Sequence, residues 1–123
     1  MRYTAGVKPQ TQLRKICLAL PESTVVEQWG GPTYRVRNKI FAMQPGDDDG
    51  APPQVWFKAE PGVQAALVAE DPDRWFAPPY LGPKGWAAAW LATADWEHLA
   101  DLIEGSYRLI APKKLSKLLD EPA

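Results

Sequence analysis

The spacing of apolar residues switches repeatedly between helical and strand periods along the chain, and each switch predicts an element. From Pro9 onward Leu13, Ile16, Cys17 and Leu20 recur at three- and four-residue steps, which predicts a helix with one apolar stripe that stops before Pro21. Val25, Val26 and Trp29 then suggest a short strand, closed by a sharp turn at Gly30, Gly31 and Pro32. A β-meander begins there. Over residues 33–37 the alternation places Tyr34 and Val36 on one side and Arg35 and Arg37 on the other, so a half-buried strand is expected to display two arginines side by side. Asn38 suits a tight turn into a strand over 39–43, and 44–53 is a loop by composition. Strand character resumes over 54–59, with Val55 and Phe57 on one face and Trp56 and Lys58 on the other.

Glu60, Pro61 and Gly62 resemble a helix start, and Val63, Ala66 and Leu67 give a weak stripe for a short second helix ending near Glu70. Residues 71–79 read as irregular, with Trp75 and Phe76 plugging the edge of the core. The stretch YLGPKGWAAAWL, 80–91, runs from a Gly-Pro turn into a strand over 86–91, the segment around which the rest is expected to be built. Alanine on both faces of that strand leaves room for a helix across the sheet, and Lys84 with freed turn amides offers an anion a place to sit. Thr93 or Asp95 can cap a longer helix in which Trp96, Leu99, Ile103, Tyr107 and Ile110 share one face. Gly105 within it costs up to about 1 kcal/mol relative to alanine and is expected to mark close packing or an early end. Pro112 breaks the pattern, 113–119 forms a final basic amphipathic turn or two, and 1–7 is expected to fray.

Composition narrows the function more than the fold. A chain of 123 residues fits one domain, and its 46% hydrophobic and 24% charged content is that of a globular protein. No apolar run approaches the roughly 20 residues that cross a bilayer, the N-terminus lacks a signal-peptide layout, and a cytoplasmic location is the default expectation. With one cysteine and one histidine there is neither an intramolecular disulfide nor a His/Cys cluster for zinc, and neither metal nor cofactor is expected. Cys17 reads as a small buried hydrophobe. Asp47, Asp48 and Asp49 lack the alternating ligands and distal glutamate of a calcium loop. The net charge of −1 gives no global pull toward phosphate backbones, although Arg35, Arg37 and Lys39 cluster, as do Arg108, Lys113, Lys114 and Lys117.

Catalytic patterns fail on context. Tyr80 and Lys84 have the spacing of a dehydrogenase pair, but Gly82 and Pro83 separate them and no dinucleotide-binding glycine loop is present. Ser106 and His98 could face one another across two helical turns, yet a serine in mid-helix has no exposed elbow or oxyanion amides. No enzymatic activity is expected.

Leu20-Pro21-Glu22, the run from Trp29 to Val36 leading to Lys39-Ile40-Phe41-Ala42, the turn 80–86, Asp95-Trp96 and the run from Ser106 to Lys113 follow one another over about residues 10–118. In this order they resemble the MmcQ/YjbR family of small bacterial proteins. The resemblance implies an α+β fold, an antiparallel sheet with helices packed on one face, similar to the frataxin-like arrangement and to a double-wing DNA-binding domain. It further implies DNA binding, by analogy of fold.

The leading expectation is therefore a cytoplasmic protein that binds double-stranded DNA through a basic face of the sheet. Arg35, Arg37, Lys39, Lys58, Lys84, Arg108 and Lys113 would contact phosphates, and Trp56 would stack on bases or fill a groove. The bland reading pairs Lys39 and Arg108 with acids such as Glu27 or Glu104. A competing expectation is a protein or small-molecule interaction module, with a homodimer among its forms, because six tryptophans exceed what one small core needs and Trp56 would stand on an open face. Iron binding of the frataxin kind finds no acidic ridge on the first helix, which carries Lys8, Arg14 and Lys15.

Overall fold

Two lateral rows of side chains, one on each side of a six-stranded sheet, organise the molecule. The computed structural model describes residues 8–46 and 52–121, so 1–7 and the acidic triplet Asp47–Asp49 lie outside the described residues. In chain order the elements are α1 (Pro9–Leu18), β1 (Thr24–Gln28), β2 (Gly31–Val36), β3 (Lys39–Met43), β4 (Gln54–Phe57), α2 (Val63–Glu70), β5 (Trp75–Phe76), β6 (Ala87–Trp90), α3 (Trp96–Ile110) and α4 (Lys113–Asp120). The sheet is antiparallel in the order β1-β2-β3-β4-β6-β5. Among the described residues no helix is long and apolar enough to cross a membrane.

Residues paired across antiparallel strands share a face. One row runs Val25, Tyr34, Ala42, Phe57, Ala87, and it belongs to the core together with Leu13 and Cys17 of α1, Leu67 of α2, Leu99, Ile103 and Tyr107 of α3, and Leu115 of α4. All four helices thus serve one face. The other row runs Val26, Thr33, Met43, Trp56, Ala88, Phe76, through all six strands and on the face without helices. This is the α+β architecture expected of the chain.

Helix α3 earns its position by its pattern. Asp95 caps it by accepting from the His98 amide, Leu99, Ile103 and Tyr107 are fully buried, and the Tyr107 hydroxyl donates to Pro21 O at 2.7 Å. The Phe41 ring meets that of Tyr107 edge-on at 5.6 Å. Phe41 reaches the core because the β2–β3 register shifts at Tyr34/Arg35, pairing moving from Ala42 to Ile40.

The structure corrects several expectations. Arg35 and Arg37 do not stand side by side: β2 ends at Val36, and Arg37 (φ +50°) with Asn38 (φ +65°) forms the two-residue turn into β3. Two successive positive φ values match the twist of a hairpin, so the turn takes Arg37 from the strand. Trp75 and Phe76 form the edge strand β5, with Trp75 only 2% exposed, rather than lying in an irregular connection. The strand β6 is next to that edge, and α3 crosses β3 and β4, so the space beside the alanines is taken by aromatic rings, among them Phe76 stacked on Trp90 at 4.5 Å. Gly105 marks neither close packing nor a helix end, because α3 continues to Ile110 and a Cβ there would meet nothing within 4 Å.

Candidate functional site

The face without helices carries a cavity of about 490 Å³, lined by Trp29, Met43, Pro45, Gly46, Trp56, Tyr80 and Leu81. Two of its aromatics are held out in water, Trp29 at 63% and Tyr80 at 87% exposure. Both have left-handed backbones, with φ of +55° and +66°. For a bulky residue this conformation is sparsely populated and costs on the order of 1–3 kcal/mol, which surrounding structure must offset.

The offsets are visible on each side. After β1 the chain turns through Gly30 (φ +82°) and crosses the segment after β3 so closely that a Cβ at Gly31 would lie 2.1 Å from Gln44 O. Only glycine fits there, and the Gln44 amide donates to Pro32 O at 2.9 Å. Tyr80 sits in a turn where the Leu81 amide donates to Pro79 O and the Gly82 amide to Pro78 O. The Gln64 side chain, from α2, donates to Gly82 O and Trp86 O and so ties that turn to the body of the protein. Between them Trp56 is partly buried, its indole N–H donating to Gln54 Oε1 at 2.6 Å.

The same turn does not hold an anion in the expected way. The amides of Lys84, Gly85 and Trp86 donate to Leu81 O, Gly82 O and Leu81 O, leaving none of the three free.

The predicted cations are dispersed. Arg35, on the face without helices, donates from Nε to Thr33 Oγ1 and from Nη2 to Gln28 Oε1. Arg37 pairs with Glu22 at 3.0 Å, and Arg108 with Glu104 at 3.1 Å and Asp120 at 2.8 Å. Lys113 opens α4, and Lys39 opens β3. Lys58 and Lys84 are the two that line one groove, of about 450 Å³, together with Glu60. Lys39, Lys58 and Lys84 make no ion pair among the described residues.

Groups with nucleophilic potential are otherwise engaged. Cys17 is fully buried and its thiol pKa is pushed far up by that burial. The Ser106 hydroxyl is buried against Lys58 O and Leu102 O, and the His98 ring lies edge-on to Trp75 at 5.2 Å. Among the described residues no group of three or more metal-ligating side chains converges.

Sequence reasoning placed Trp56 at this site and missed Trp29 and Tyr80. The available signals were the glycine pair after Trp29 and the proline pair before Tyr80, which force turns but do not announce which side chain the turn will expose.

The arrangement defines a class, an α+β open-sheet protein with helices on one face and an aromatic cavity on the other. The family model for YjbR matches residues 18–109, and the chain belongs to the YjbR family. No protein with a curated description matches it. Among solved structures it is similar to Deinococcus radiodurans protein DR2400, whose crystal structure is described by a DUF419 domain, at 23% identity and a TM-score of 0.74 over 94% of this chain and 92% of that one. At that identity the likeness establishes the shared fold.

Proposed function

We propose that the protein is a binding module that acts without chemistry of its own and takes a small planar apolar compound into the aromatic cavity of the open sheet face. The observation that carries this reading is the pair Trp29 and Tyr80, large apolar side chains kept exposed on unfavourable backbones at the rim of a cavity floored by Trp56. Exposing them gains nothing for the fold, and strain at such positions is a pointer to function. The cavity volume falls in the range of small-molecule sites. Anilinonaphthalene sulfonate is a suitable probe, with saturable emission enhancement on the wild type and loss in Trp56→Ala and Tyr80→Ala. Cooperative near-ultraviolet melts of both variants keep the comparison on folded protein. Equal enhancement in the folded variants would remove the cavity from consideration.

A second reading, binding of double-stranded DNA, is favoured by Lys39, Lys58 and Lys84, which have no acidic partner among the described residues. The MmcQ/YjbR resemblance points the same way. Three such contacts would give a log–log salt slope of about −3. Anisotropy with a mixed-sequence duplex at low salt tests it: binding that weakens on Lys58→Ala and Lys84→Ala supports the reading, and none at tens of micromolar protein, about the strength of weak non-specific binding, ends it.

A further inference from the structure

A second concavity shares no lining residue with the aromatic cavity and lies among α2, the end of β4 and α3. One part of it, about 230 Å³, has an apolar lining from Phe57, Val63, Leu102 and Leu109, with Gly105 where α3 would otherwise place a side chain. The other part continues past Lys58 and Glu60 to Pro83 and Lys84. Because a Cβ at Gly105 would meet nothing within 4 Å, the glycine does not serve backbone approach. What it does is leave the cleft open, against the helix propensity of its own position.

The charges along this cleft are sorted. Asp101 lines the first part alone, Lys84 the second alone, and Lys58 and Glu60 line both. Two cations and two anions leave no net charge, so a purely anionic or cationic ligand would meet as much repulsion as attraction. A zwitterion meets complementary charge at both ends. The walls are fixed in relation to one another, since Ser106 of α3 donates to Lys58 O and Gln64 of α2 holds the turn that carries Lys84.

We propose that this cleft binds a short apolar peptide with both termini free, its ammonium group toward Asp101, its carboxylate toward Lys84 and its side chains on the apolar lining. The ligand must reach from one part of the cleft into the other, and two or three extended residues, at about 3.3 Å each, make the shortest such peptides.

The probes are leucyl-leucine, its N-acetyl derivative and its C-terminal amide, titrated into uniformly 15N-labelled protein. The expected result is saturable shifts of the Gly105, Ser106 and Lys58 amides with a Kd below about 1 mM, and binding about tenfold weaker for each blocked derivative. Lys84→Met should abolish the discrimination between the peptide and its amide. Asp101→Asn should abolish that between the peptide and its N-acetyl form. Gly105→Leu should close the cleft, while Gly105→Ala keeps the helix and tests the same position with a smaller group. The proposal is overturned if no saturable shift develops by about 10 mM, if both derivatives bind as well as the parent, or if each charge variant retains full discrimination.

Discussion

Along β4 the two faces of the sheet can be compared within three residues. Val55 and Phe57 are fully buried in the core beneath the helices, whereas Trp56 between them is only partly buried, on the other side. The core beneath the helices is packed ring against ring: Phe57 meets Trp75 edge-on at 6.3 Å, and Phe41 meets Tyr107 in the same way. The other face leaves Val26, Trp29 and Tyr80 exposed and a cavity between elements. Stability therefore resides mainly on the helix face, while the large exposed aromatic rings stand on the other.

The largest effect expected from breaking this contrast is at Phe57. Phe57→Ala removes a fully buried ring from the cluster that joins α2, α3 and β5 and should cost about 3–5 kcal/mol, read by urea unfolding. Trp56→Ala, one residue away, should cost less than half as much and act instead on probe binding. Equal losses at the two positions would contradict the division of labour between the faces.

That division was partly legible in the sequence. The stripe of Leu99, Ile103 and Tyr107 predicted α3, and the alternation of Val55, Trp56 and Phe57 assigned β4 its two faces, because both rest on a period that burial enforces directly. What was not legible depends on single backbone torsions. Arg37 leaves its strand because the hairpin turn takes two positive φ values, and Phe41 reaches the core because the register slips by one residue. Strand β5 spans two residues, too few for any period, and is held by pairing to β6. The free amides expected at 82–85 are absent because the turn satisfies them within itself, which composition does not reveal.

A smaller effect, about 1–3 kcal/mol, is expected at Gln64, the link between α2 and the turn that carries Tyr80. Gln64→Leu keeps the volume but removes the donor shared by Gly82 O and Trp86 O. Thermal unfolding should show the loss, and anilinonaphthalene sulfonate should bind the folded variant more weakly as Tyr80 loses its support. Trp29→Gly should act in the opposite direction on stability, raising it by about 0.5–1 kcal/mol through relief of the left-handed backbone, while also weakening the probe. A variant that is more stable yet binds less is the signature of strain kept for binding rather than for folding.

The smallest effect separates the cations. Arg37 and Glu22 are about half exposed, at 46% and 54% of their side-chain surfaces, so their 3.0 Å ion pair should contribute less than about 1 kcal/mol. Arg37→Ala should therefore lower the melting temperature by only a few degrees at most. Its effect on duplex DNA is the sharper measurement. A phosphate reaching Arg37 meets a charge already partly offset by Glu22, whereas one reaching Lys39, at the opposite end of the same turn, meets a cation without an ion pair among the described residues. If DNA is a ligand, Lys39→Ala should weaken low-salt binding more than Arg37→Ala. Equal or reversed losses would place the contact on the arginine in spite of its Glu22 partner.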